Sequence, residues 1–79
     1  MLILRKKDNM SNYRTDEQYK DICENMSNGN WTDAAKLCAD SGFYANDLKT
    51  NYETGVEGSD LITDLWDFAE LVEMANKYR

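Results

Sequence analysis

Residues 59–78 read Ser59-Asp60-Leu61-Ile62-Thr63-Asp64-Leu65-Trp66-Asp67-Phe68-Ala69-Glu70-Leu71-Val72-Glu73-Met74-Ala75-Asn76-Lys77-Tyr78, and the period of this stretch decides the fold class. At about 100° per residue, Leu61, Leu65, Phe68, Val72 and Ala75 fall on one stripe, flanked by Ile62 and Ala69. The stripe predicts the core face of the longest helix in the chain, over about 59–77. Ser59 is its expected N-cap, with Asp60 and Asp64 near the positive end of the helix dipole. Trp66, Leu71, Met74 and Tyr78 lie off the stripe, more apolar surface than three short partner helices cover.

The same region is acidic. Between Thr50 and Asn76 stand seven carboxylates, Glu53, Glu57, Asp60, Asp64, Asp67, Glu70 and Glu73, with no Lys, Arg or His among them. With Leu61 set to zero, Asp60, Asp64 and Asp67 fall at roughly 260°, 300° and 240°, and Glu70 and Glu73 at about 180° and 120°. Helical acids three or four residues apart lie roughly 5 Å apart along the axis, close to phosphate spacing on one nucleic-acid strand. A pure phosphate replica would not interleave them with Leu71, Met74 and Tyr78, whereas interface cores favour aromatics and Met and leave charges at the rim. The expected partner-binding set is therefore Asp60, Asp64, Trp66, Asp67, Glu70, Leu71, Glu73, Met74 and Tyr78.

Upstream, Thr15 and Gln18 match a capping box. Asp16 and Glu17 suit a first turn, and Tyr19, Ile22, Cys23 and Met26 share one face, predicting a helix over 16–27. Asn28-Gly29-Asn30 stops it. A second helix over 32–41 presents Ala34, Ala35, Leu37, Cys38 and Ala39, and Ser41-Gly42 ends it. A third over 43–53 aligns Tyr44, Leu48 and Tyr52. The fold class expected is all-α: a small antiparallel helical bundle of three short helices closed by a longer acidic amphipathic C-terminal helix. Residues 13–79 form this single domain, and residues 1–12 are a basic N-terminal tail or edge strand. Met10 offers a second start that would remove most of the basic segment.

Composition excludes several classes of function. The chain has 79 residues, no His and two Cys, which leaves no ordinary transition-metal ligand set, and neither a metal nor a cofactor is expected. Cys23 and Cys38 sit among apolar residues at helical spacing, where a free thiol behaves as a small hydrophobe. No phosphate loop or nucleophile elbow is present and the commonest general base is missing, so no catalytic residue is expected and the protein is not read as an enzyme. No apolar run approaches the roughly 20 residues of a membrane span, and a cytoplasmic location is expected. Net charge is −6, distributed unevenly: residues 1–14 hold four bases against one acid, the remainder fourteen acids against five bases. That balance argues against direct nucleic-acid binding and favours a protein with a basic surface as partner.

Two resemblances bear on these readings. Gly29-Asn30-Trp31-Thr32-Asp33-Ala34-Ala35-Lys36-Leu37 resembles the turn and second helix of a tetratricopeptide-like hairpin, without a second copy at the period of about 34 such repeats need; it implies an antiparallel helical hairpin with Trp31 in its core. Asp21-Ile22-Cys23-Glu24-Asn25-Met26-Ser27-Asn28-Gly29-Asn30-Trp31, Gly42-Phe43-Tyr44-Ala45-Asn46-Asp47-Leu48 and the acidic Leu65-Trp66-Asp67-Phe68 give the chain a second likeness. In style it resembles the small acidic early proteins with which bacteriophages disable host defence, transcription, nucleoid or division machinery. That likeness implies a non-enzymatic inhibitor occupying a basic or functional site on a host protein, and it transfers no functional residue. Two other functions remain open at this point: a DNA mimic that displaces DNA from a DNA-binding protein, and a self-associating structural protein whose last helix pairs in a homodimer.

Overall fold

The computed structural model describes residues 13–79, and every regular element among them is helical. The tail or edge strand expected over 1–12 lies outside the described residues. Thr15 starts α1 (Asp16–Ser27): its hydroxyl accepts the Gln18 N–H at 3.1 Å, and the Gln18 side-chain oxygen accepts the Thr15 N–H at 3.0 Å. Both halves of the capping box thus form. The turn through Asn28 and Gly29 leads into α2 (Trp31–Ser41), and Gly42 ends it ahead of α3 (Ala45–Thr54). α1 and α2 make the most extensive contact in the molecule, and Ala34 and Ala35, both wholly buried, let the helices approach closely.

The helix expected over 59–77 is interrupted. Ser59–Leu61 forms one 3-10 turn, Ile62 is extended, and α4 begins only at Trp66 and runs to Ala75, with a further 3-10 turn over Asn76–Tyr78. Three contacts account for the break. The Ser59 hydroxyl, the expected cap, pairs with the buried Tyr19 hydroxyl at 2.7 Å and donates to the Asn51 carbonyl at 3.3 Å, so it does not serve a helix N-terminus. The Tyr52 hydroxyl donates to the Ile62 carbonyl at 3.1 Å and holds that residue extended while its side chain is buried. Capping passes to Asp64, whose Oδ1 accepts the Trp66 N–H at 2.9 Å.

The break at 62–65 leaves Leu61 and Leu65 outside α4, and a stripe centred with their help is displaced from the buried face, which is why it misassigns several residues. Leu61 and Ala69 are exposed and Leu65 is half-buried, whereas Leu71, placed off the core by that count, is fully buried. Counted from Phe68, the buried set is Phe68, Leu71, Val72 and Ala75, a single face about 100° wide. It packs on α2 and α3, and its aromatic contacts centre on Phe68, whose ring lies 6.0 Å from Tyr19 and, edge-on, 5.8 Å from Tyr52. Cys23 and Cys38 are free and buried in the same core, and Trp31 is half-buried against it.

The loop before the first 3-10 turn reaches α1 only because residue 58 has no side chain. Gly58 has φ +107°, and a Cβ there would lie 3.1 Å from the Lys20 Cα and 3.3 Å from the Cys23 Cβ. Gly29 also has positive φ (+84°) but faces open space. Gly58→Ala is therefore expected to lower stability by roughly 2–3 kcal/mol and Gly29→Ala by about 1 kcal/mol, measured by urea unfolding. Equal losses would mean that the approach of the loop to α1 contributes nothing.

Candidate functional site

Trp66 is the most exposed large apolar side chain among the described residues, at 78% of its full accessibility. Its neighbours follow from the phase of α4. With Phe68 at zero, Trp66, Glu73 and Glu70 fall at roughly 160°, 140° and 200°, directly opposite the core. All three are exposed. The stripe that surrounds the tryptophan is thus Glu70 and Glu73, one and two turns on, rather than Asp60, Asp64 and Asp67. Those three do not share a helix: Asp60 stands in the 3-10 turn that packs against α1, Asp64 in the break, and Asp67 in the first turn of α4. Asp64 nevertheless stays beside Trp66 through its bond to the Trp66 backbone N–H.

The remaining expected contacts separate. Leu71 lies wholly inside the core and offers none of the free apolar surface expected of it, whereas Met74 is half-buried and its open side lies beside Glu70, Glu73 and Lys77. Tyr78 is exposed, but its ring meets the Lys36 ammonium of α2 at 5.7 Å and stands three helical turns from Trp66, about 18 Å along the axis. Of the nine expected partner residues, the structure sets Asp64 and Asp67 at the start of α4 beside Trp66, and Glu70, Glu73 and Met74 together farther along it.

Beside Trp66 runs an apolar groove of about 340 Å³. Ala45, Asn46 and Lys49 of α3 form one wall, and Leu65, Trp66, Phe68 and Ala69 the other. The periodicity of α4 gave no sign of it, because a groove depends on which helix lies opposite. The available signal was size: Ala45 and Ala69 are small residues on facing elements, and neither fills the space between them. Ion pairs among the described residues join Arg14 to Asp47, Lys20 to Glu57 and Lys49 to Glu53, all at surface positions, and none engages an acid of α4.

Arg79 packs against the turn between α2 and α3. Its guanidinium lies 4.0 Å from the Tyr44 ring centre and donates to the Phe43 carbonyl and, at 3.9 Å, to the Cys38 sulfur. These bonds are local and structural: they tie the last residue to the α2–α3 turn. Among the described residues no set of three or more His, Cys, Asp or Glu is placed to hold a metal ion, and no helix is long and apolar enough to cross a membrane. The chain matches no protein-family model, no curated protein and no solved structure.

The buried titratable groups belong to the core rather than to a reactive site. Burial pushes the Cys23 thiol up to about 11, and burial raises Cys38 as well, partly opposed by the Arg79 guanidinium. Burial also raises Tyr19, against the lowering effect of its bond to Ser59. Such thiols are poor nucleophiles at neutral pH. Because the folded value of Cys23 lies above the unfolded one, its contribution to stability is complete below about pH 9 and disappears as pH rises through about 11. Unfolding midpoints in urea are expected to fall between pH 8.5 and 10.5 by the equivalent of roughly 1–2 kcal/mol, and Cys23→Ala to flatten that slope. At pH 7.5 a disulfide-exchange reagent is expected to label both thiols slowly in native protein and at once in denaturant.

Proposed function

We propose that this protein is a non-enzymatic binding module that occupies a basic site on a partner protein. The observation that carries the reading is Trp66, held outward on a face where acids outnumber bases and where Glu70 and Glu73, with Lys77 beside them, form no ion pair among the described residues. A tryptophan ringed by charges has the composition of an interface anchor with a polar rim. Asp64, Asp67, Glu70 and Glu73 supply long-range attraction and set the approach, and Trp66 supplies the desolvated contact. Asp60, Leu71 and Tyr78 take no direct part.

An antiparallel arrangement of the three short helices, closed by α4, is the support that presents this face. The fuller form of the proposal is an inhibitor of the bacteriophage type, acting in the host cytoplasm on defence, transcription, nucleoid or division machinery by covering a functional surface. A phosphate replica receives less support. Asp60, Asp64 and Asp67 belong to three different backbone segments, so helical spacing does not hold them at phosphate intervals.

Capture of the partner from a host lysate tests the reading. Trp66→Ala is expected to weaken capture at least about thirtyfold, the effect of losing an anchor worth about 2 kcal/mol. Glu70→Lys with Glu73→Lys should slow association and remove its salt dependence. Both variants lie opposite the core and should keep the native unfolding midpoint. Capture undiminished by either would overturn the proposal, as would a partner held equally well by Leu71→Ala protein shown to be unfolded.

A further inference from the structure

The groove between α3 and α4 is bounded in part by Trp66 itself, and the proposed function uses the indole but not the groove. Its floor and walls come from Leu65, Phe68, Ala69 and Ala45, and its volume of about 340 Å³ sits at the lower end of ligand pockets. That size suits aliphatic side chains rather than an extended cofactor. Its surroundings carry both signs with an acidic balance: Lys49 stands on the α3 wall, already beside Glu53 at 4.0 Å, while the α4 side carries Asp64, Glu70 and Glu73, with Lys77 beside the last two but in no ion pair among the described residues. An occupant matched to this surface inserts an apolar group and holds positive charge a few ångströms away, over α4.

Resting on the reading of Trp66 as an anchor, we propose that the groove receives a Leu, Ile or Met side chain from a partner segment in which that residue adjoins Lys or Arg, such as one face of a basic amphipathic helix. Trp66 then packs over the inserted residue, and Glu70 and Glu73 meet the flanking cations. A second copy of this chain fits the surface poorly, because each copy carries a net charge of −6 and would bring like charges together over α4. Helix-in-groove docking of this kind derives its affinity from the inserted side chains and its register from the charges.

The test uses the full chain and a synthetic amphipathic helix of Leu and Lys, about 18 residues long, followed by calorimetric titration at two salt concentrations. Ala69 and Ala45 are both exposed, so Ala69→Trp and, from the opposite wall, Ala45→Leu fill the groove without entering the core. Each is expected to weaken binding at least about tenfold while far-ultraviolet circular dichroism and the urea midpoint stay unchanged; replacing the peptide's Leu by Ser at constant charge should do the same. If both filled variants bind as the parent does while Glu70→Lys with Glu73→Lys abolishes binding, the groove proposal falls and the acidic binding face stands. If Trp66→Ala and the charge reversal are also without effect, both fall. Sedimentation of the parent as a dimer that Ala69→Trp dissolves would give the groove to a second copy and overturn a heterologous occupant. So would a chain started at Met10 that binds the peptide about tenfold more tightly, since it would make residues 1–9 the occupant.

Discussion

The bonded hydroxyls of Tyr19 and Ser59, 2.7 Å apart inside the core, fix where the C-terminal helix can begin. A buried hydroxyl without a partner is costly, so Tyr19 can enter the core only if something polar meets it there. Ser59 meets it, and in doing so draws the 3-10 turn against α1, where Gly58 leaves room. Ile62 is then extended, Tyr52 secures its carbonyl, and the chain resumes a helix only after Asp64 caps it. The phase of α4, and therefore the outward direction of Trp66, follows from that chain of contacts. The exposed site is set from within the core.

This dependence explains what the sequence disclosed and what it withheld. Thr15 with Gln18 was legible because a capping box is a bond between residues three apart and needs no tertiary context. The buried faces of α1 and α2 were legible because their apolar residues keep one helical phase from end to end. Residues 59–65 keep a helical pattern too, but Ser59 is claimed by a residue 40 positions earlier, and no local rule contains that bond. The error then propagated by geometry. Including Leu61 and Leu65, which lie outside α4, displaced the centre of the stripe and left Leu71 outside it, and carrying the helix back to residue 59 gave Asp60, Asp64 and Asp67 a common stripe they do not have. Within α4 alone the same 100° rule, started at Phe68, identifies the buried face and the exposed one correctly.

The acidic run also changes meaning once it is placed. Glu57 pairs with Lys20 at 3.3 Å and Glu53 with Lys49 at 4.0 Å, so these two acids contribute weak surface pairs between or along helices. Asp64 is a cap, and its charge suits the positive end of α4 as well. Glu70 and Glu73, farther along, meet no such need: they stand in the second and third turns, where the N-terminal dipole has faded, and Lys77, in the 3-10 turn that follows, lies beside them without forming an ion pair. They repel each other and the rest of an acidic molecule. Their local effect on the fold is neutral or unfavourable.

Trp66 sharpens that argument. A chain of 79 residues has little apolar surface to spare, and burying a tryptophan would remove about 150–250 Å² from water, a gain on the order of 4–6 kcal/mol at about 25 cal/mol per Å². The core instead closes with Phe68, Leu71, Val72 and Ala75, and the largest side chain of α4 is left almost wholly in water. The groove next to it is unfilled because Ala45 and Ala69 stand where larger residues would close it. An exposed indole, a shallow apolar groove and two acids without structural work thus occur on one side of one short helix. None of them stabilises the monomer, and each becomes favourable when a cationic, partly apolar surface covers it. The physical economy of the fold therefore places its unsatisfied surface on the outer side of α4, away from the Tyr19–Ser59 contact that orients it.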